Sequence, residues 1–347
     1  MSGGVDSAVA ALLVSRSGAE CAGITMRLWE DSKKLPDALD VAPDLNCAEA
    51  KAICDTLGIP HYSVSLGESF CAGVVDHFSA EYVAGRTPNP CVECNKKIKF
   101  GKLFDVAGHY GASKLATGHY ARIRRDTSGN FMLCRAADES KDQSYFLWSI
   151  DRSRLSDILF PLGDLTKPEI REIAEKNNFS NAHKKDSQDI CFVPNGEYAS
   201  FIRTQTGLDF PSGSFIDVHG NPLGKHSGLI NYTVGQRKGL GIALGRPMFV
   251  KSKDAASNTV TLSTDEELYS DTVIAKKINL LACESLPSAE RFSVKIRYRH
   301  APASATVTQI DEDTLLVKFD EPQRAAAAGQ SLVMYDGDTV IGGGIIS

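Results

Sequence analysis

The sequence predicts an α/β fold, a doubly wound and mostly parallel sheet, followed by two small all-β domains. Three observations lead there. The chain opens "MSGGVDSAVAALLV", a glycine-rich turn feeding straight into an apolar run. From there to about residue 180, short apolar strands alternate with helical stretches, the pattern of βα units. Beyond about residue 205 the texture becomes short alternating stretches separated by Gly, Asn, Asp and Pro.

Each element can be justified in order. Ala8–Val14 reads as a buried helix opened by Asp6 and Ser7, and "ECAGITMRLW" (20–29) as a buried strand. "NCAEAKAICDTLGI" (46–59) places Ala48, Ala52, Ile53 and Leu57 at helical spacing, with Gly58 to end it. "HYSVSL" (61–66) is a strand, "ESFCAGVVDHFSAEYVAG" (68–85) a helix, and "KLATGHY" (114–120) a strand running into a turn. Asn95 is expected to cap a helix beginning near Lys96. "DLTKPEIREIAEKNNF" (164–179) is the clearest helix, because Thr166 and Glu169 fit a capping box with Pro168 in the first turn. "SGSFIDV", "PMFVKSK", "NTVTLST", "RFSVKIRY", "ATVTQI" and "TLLVKF" read as strands of the β half, whose two parts meet near 272–278. The expected domains are residues 1–203, 204–274 and 275–347.

Composition narrows the function class. No stretch approaches the ~20 apolar residues of a membrane span, and the first residues lack a secretory leader, so a cytoplasmic protein without a membrane partner is expected. Nine cysteines, an odd count, argue for a reducing compartment rather than a disulfide scaffold. The net charge of −5 argues against a nucleic-acid partner. The basic clusters "NKKIKFGK" (95–102), "ARIRR" (121–125), "AHKK" (182–185), "GQRKG" (235–239) and "KIRYRH" (295–300) argue for one.

Two kinds of motif carry chemistry. The opening loop leads into a helix N-terminus, whose unpaired N–H groups and positive dipole end suit a phosphate. It is neither a Walker A loop nor G-x-G-x-x-G. The strand that should deliver the chain to such a loop is missing, so the true N-terminus is expected upstream of Met1. Next come the cysteines. Cys94, in "RTPNPCVECNKKIKF" (86–100), is expected beside a helix N-terminus near Lys96 and Lys97, features that favour a thiolate. Cys191 ends an apolar-flanked turn in "KKDSQDICFVP" (184–194). A buried structural thiol is the rival reading for each, and the one expected for Cys21, Cys47, Cys54, Cys71, Cys134 and Cys283.

"SGGVDS" resembles the PP-loop of ATP pyrophosphatases, which cleave ATP between the α and β phosphates. Together with "GRTPNPCVECNKKIKFGKL", "ATGHYARI", "KDQSYFL", "DSQDICF", "NYTVGQRKGLGI" and "IRYRH", it runs in the order found in bacterial tRNA-specific 2-thiouridylases. The resemblance extends to "GQSLVMYDGD" (329–338) and "GGGII" (342–346), hence over essentially the whole chain.

The resemblance implies an adenine nucleotide α-hydrolase-like PP-loop domain and thiolation of carbon 2 of the wobble uridine of tRNA for Lys, Glu and Gln. It implies that Ser2, Gly3, Gly4, Val5, Asp6 and Ser7 hold the ATP phosphates, with Mg²⁺, and that Met26 and Gly118 line the adenine and ribose. Asn89, Pro90 and Cys91 would flank the flipped base. Cys94 would be one catalytic cysteine and Cys191 the one that carries sulfur as a persulfide, the two ending as a disulfide. Lys141, Asp142, Gln143, Arg297 and Tyr298 would contact tRNA, with His119 and Gln330 at positions linked to substrate discrimination or anticodon contact. A sulfur-relay protein or cysteine desulfurase would supply sulfur. The departure is Cys91, where the family most often has an aspartate. Cys91, Cys94 and Cys191 could instead hold a [4Fe–4S] cluster that carries sulfide. Another PP-loop tRNA-modifying ligase is the remaining alternative.

Overall fold

The computed structural model describes residues 1–29, 35–41, 45–184, 190–193 and 196–347. In chain order its first half comprises α1 (Val5–Arg16), β1 (Gly23–Arg27), α2 (Leu45–Leu57), β2 (His61–Ser65), α3 (Gly67–Phe70), a π-helical turn (Cys71–Val75) and α4 (Asp76–Val83). Then come α5 (Pro90–Glu93), a π-helical stretch (Cys94–Lys102), α6 (Leu103–His109), β3 (Leu115–Ala116), β4 (Arg122–Arg125), β5 (Phe131–Cys134), β6 (Ile158–Leu159), α7 (Lys167–Lys176) and α8 (Tyr198–Thr206). The β half holds β7 (Gly213–Ile216), β8 (Pro222–His226), β9 (Phe249–Asp254), β10 (Thr259–Ser263), β11 (Tyr269–Leu280), β12 (Glu290–Lys295), β13 (Ala303–Asp311), β14 (Thr314–Arg324), β15 (Ser331–Asp336) and β16 (Thr339–Ile346).

Two compact units interleave along the chain. One contains Met1–Val74, Cys91–Gln188 and Gly337–Ile341; the other contains Val75–Pro90, Asp189–Asp336 and Gly342–Ser347. In the first, β1 pairs in parallel with β2 from Gly23↔His61 to Arg27↔Ser65, and β3 pairs in parallel with β6. Parallel pairs need crossover connections, and helices supply them. α1 is buried at Val5, Ala8, Val9, Ala10 and Leu12, and its cluster includes Ile53 of α2, Ile170 and Ala174 of α7, and Tyr120. This explains its uniform apolarity, since a helix sandwiched between others needs no solvent face. The amino group of Met1 donates to the Ile24 carbonyl, so the residue before the loop lies along β1. The expected strand at 114–120 is shorter than its pattern, because only Leu115 and Ala116 pair with β6 before the chain turns at Thr117. Among the described residues, no helix is long and apolar enough to cross a membrane.

The second unit gathers α4 and α8 around Phe192. The Phe78 ring meets Phe192 edge-on at 5.3 Å, and Phe192 lies 5.3 Å from Phe201. A four-stranded sheet in the order β8–β7–β10–β9 covers a core that includes Phe215, Tyr232, Val250 and Val260. A closed barrel follows in the order β11–β14–β13–β12–β15–β16, with β16 returning to β11. All six stretches expected to be strands from their alternation contain one. The expected junction at 274/275 lies inside β11, which runs unbroken from Tyr269 to Leu280.

Candidate active site

The loop at residues 2–4 is shaped by its glycines. Gly3 takes φ +70°, and a Cβ there would lie 2.9 Å from a Glu49 carboxylate oxygen. Gly4 is the N-cap of α1 and offers no capping side chain, so the loop leaves room at the helix start. Ser7 Oγ donates to the Gly4 carbonyl at 2.9 Å, and the Ser2 amide donates to Ser7 Oγ at 3.2 Å, closing the turn on itself. Gly118 stands against this turn: a Cβ on it would be 2.8 Å from the Asp6 carbonyl carbon and 2.9 Å from the Ser7 nitrogen. The turn after β3 and the loop therefore meet backbone to backbone. Met26 is half-buried near the carboxyl end of β1.

Several residues of this network escaped sequence reasoning. Lys167 Nζ donates to both Asp6 carboxylate oxygens, at 2.7 and 2.9 Å. Tyr120 donates its hydroxyl to Asp6 Oδ1 at 2.8 Å. Asn181 Nδ2 donates to the Gly3 carbonyl at 2.9 Å, and Lys184 pairs with Glu49. "TKPEIREI" signals a helix start, but nothing in its periodicity says that the lysine turns inward toward a residue 161 positions away.

The cysteine helix corrects one expectation. Helical structure starts at Pro90, not near Lys96, because proline suits the first helical position and the N-terminus forms on it. Asn95 is thus inside the helix, buried, and caps nothing; its Nδ2 donates to the Phe146 carbonyl at 2.9 Å. Cys94 stands a turn inside, half-buried, and loses the terminal dipole expected for it. Cys91 takes the first-turn place. Its edge is exposed while the surrounding protein is dense, and that desolvation raises the thiol pKa, with Lys99 pulling it down. Lys97 pairs with Glu93 at 2.8 Å and donates to the Gly73 carbonyl at 3.1 Å.

His119 lies 3.2 Å from Lys99 Nζ through Nε2 and 2.8 Å from Thr117 Oγ1 through Nδ1. Burial, and then Lys99, drive its pKa well below the usual value. Since an ammonium only donates, Nε2 is the acceptor and Nδ1 carries the proton, donating to Thr117. Asp142 is buried, and its carboxylate accepts from the Ala136 amide at 3.0 Å and the Ser144 hydroxyl at 2.8 Å. Its carboxylate shapes the turn from inside, which leaves the half-buried Lys141 and Gln143 as the more accessible members of that trio. Gln143 binds the Tyr120 backbone in both directions, at 2.8 and 3.1 Å.

In the second unit, Gln330 Nε2 donates to the Thr87 carbonyl at 2.7 Å, and the Thr87 amide donates to Ala328 at 2.8 Å. The segment leading to half-buried Asn89 and buried Pro90 is thereby fixed beside Gln330. Arg297 donates through Nη2 to the Ala325 carbonyl. A Cβ on Gly235 would lie 3.6 Å from Arg297 Nη2 and 3.7 Å from Arg324 Nη1, so the clusters at 235–239 and 295–300 meet. Lys295 stands 5.8 Å from the centre of the Tyr298 ring. Most of "KKDSQDICFVP" lies outside the described residues, but Cys191 is described: it is exposed, and Phe192 and Val193 after it are buried. Among the described residues, no group of three or more His, Cys, Asp or Glu side chains is gathered to hold a metal ion.

Comparison with known proteins agrees with this geometry. Residues 1–195 match the family described as the tRNA methyl transferase HUP domain, 200–264 its PRC-barrel domain, and 270–346 the aminomethyltransferase beta-barrel domain. The chain is 43% identical to the tRNA-specific 2-thiouridylase MnmA of Clostridioides difficile (strain 630), covering 100% of this chain and 96% of that protein. It is 43% identical to the one of Lachnoclostridium phytofermentans, covering 100% and 98%, and 44% identical to MnmA 1 of Caldanaerobacter subterraneus subsp. tengcongensis, covering 100% and 96%. A glycine-rich loop met by Gly118, a cysteine helix, two β domains and end-to-end likeness agree, and the chain belongs to the tRNA-specific 2-thiouridylase family.

Proposed function

We propose that the chain thiolates carbon 2 of the wobble uridine in tRNA for Lys, Glu and Gln, in the cytoplasm, using ATP and a cysteine persulfide. The observation that carries the sulfur step is the placement of Cys191. It is exposed, so a sulfur-relay protein or desulfurase can reach it, while buried Phe192 anchors the turn between Phe78 and Phe201.

The uracil C2 oxygen is a poor leaving group. ATP, entering as its Mg²⁺ complex, transfers AMP to that oxygen, and the loop at Ser2–Ser7 receives the departing pyrophosphate. The terminal sulfur on Cys191 attacks carbon 2 and AMP leaves. The Cys94 thiolate then attacks the inner persulfide sulfur, which releases thiouridine and forms a Cys94–Cys191 disulfide. An external dithiol, or two thiols in turn, reduces that disulfide and is itself oxidised to a disulfide. The wobble base sits in a loop, so flipping it costs less than in a duplex.

The test uses the purified full chain with ATP, unmodified tRNA and a persulfide-loaded carrier. Cys191→Ala should retain tRNA-dependent pyrophosphate release and make no 2-thiouridine. Thiouridine formation at the wild-type rate by Cys191→Ala, or dependence on free sulfide in a protein with the visible absorption of an iron–sulfur cluster, would overturn the persulfide route.

A further inference from the structure

The network beneath the nucleotide loop contains a cation that the sulfur chemistry does not use. We infer that Lys167 is a positioning residue for ATP, acting through Asp6 to hold the loop in its phosphate-receiving form and to cancel the loop's own negative charge. The inference rests on the ATP-binding reading of residues 2–7.

Three observations carry it. First, the Lys167 side chain is only 8% exposed, yet its ammonium reaches both oxygens of Asp6. A desolvated lysine is costly unless it is paired, so this geometry reflects a specific partner. Second, Lys167 is itself fixed. Its amide donates to Asp138 Oδ2 at 3.1 Å, and the Thr166 amide donates to Glu169 Oε2 at 2.7 Å, setting the start of α7. Third, the same stretch of chain grips the other end of the loop, where Asn181, 4% exposed, donates to the Gly3 carbonyl. The loop is thus bracketed at Gly3 and Asp6 by residues from α7 and the turn after it.

The chemistry follows from charge. Asp6 lies in the first turn of α1, where the helix dipole favours a carboxylate. A bare carboxylate in that turn would repel a polyphosphate and could accept the helix-start amides that the phosphate needs. Lys167 occupies both its oxygens, and Tyr120 shares one of them. The helix-start amides that Asp6 would otherwise take are then left to the nucleotide.

The experiment measures ATP binding to the full chain at equilibrium, KM and kcat for tRNA-dependent pyrophosphate release, and thermal unfolding. Lys167→Met should weaken ATP binding about tenfold or more, mainly through KM, and Lys167→Arg should restore most of it because a guanidinium can also engage both oxygens. In an Asp6→Asn background, Lys167→Met should add less than about a threefold loss, because the pair acts as a unit. Should Lys167→Met not fold, Lys167→Gln carries the comparison, with the same weakening expected. Unchanged ATP affinity in a folded Lys167→Met or Lys167→Gln protein overturns the inference. So does an equal loss in the Asp6→Asn background, which would mean direct contact with phosphate. Wild-type protein that binds no ATP removes the nucleotide reading itself, and this inference with it.

Discussion

Burial sets the titration of both His119 and Cys91, and Lys99 adds to the shift at the first and opposes it at the second. Burial, and then the Lys99 ammonium from which the His119 ring accepts at 3.2 Å, push its pKa well below the ordinary value near ~6.5. In the unfolded chain the same ring binds a proton as pH falls through ~6.5, whereas the folded ring does not. Folding stability should therefore be lost as pH falls below ~6.5, and His119→Asn should flatten that part of the profile in denaturant titrations. For Cys91 the cause is burial, which raises the thiol pKa, with Lys99 opposing. At pH 8 Cys91 should react with iodoacetamide more slowly than a free thiol, and Lys99→Met should slow it further. Mass spectrometry of the labelled peptide reads both. A faster reaction in Lys99→Met would contradict the role given to this lysine.

Elements differ in how far their sequences announce them. The start of α7 was legible because its signals are local: Thr166, Pro168 and Glu169 meet within one turn, and the Thr166 amide finds Glu169 at 2.7 Å. Glu169→Ala should cost about 1 kcal/mol in chemical denaturation. The cysteine helix was misplaced for the opposite reason. Asn95 is a good cap by type, but its amide is claimed by the Phe146 carbonyl 51 positions away, which no local pattern encodes. The strand alternation of the β half was legible because each barrel strand buries one face. Its closure was not legible. β16 approaches β11 so closely that a Cβ on Gly342 would lie 2.3 Å from the Asn279 carbonyl oxygen, beside a register shift between Lys276 and Asn279. Gly342→Val should open that seam and destabilise the barrel by about 2 kcal/mol or more, read as a lowered Tm. Gly118→Ala tests the other close approach, and should weaken ATP binding by pushing on Asp6 and Ser7.

At the scale of the molecule, the sequence motifs marked which residues matter, while the interleaving of the units decided their neighbours. Gly118 and the loop at 2–7 stand against each other, and the basic clusters at 235–239 and 295–300 meet although no motif relates them. The cluster at 121–125 behaves differently. Arg122 is paired with Asp338 at 2.8 Å and Asp164 at 3.4 Å, and Arg124 shares Asp164, so these acids temper part of its positive charge. Charge counting along the chain misses such pairing, because Asp338 is 216 positions from its arginine. The sulfur route remains the claim on which the functional account turns. The most direct measurement loads Cys191 with a sulfur-34 persulfide, adds ATP and unmodified tRNA for one turnover without reductant, and analyses nucleosides and cysteine peptides by mass spectrometry. The account predicts sulfur-34 in 2-thiouridine and a Cys94–Cys191 disulfide in matching amount. Thiouridine without the label, with the persulfide still on Cys191, would contradict it.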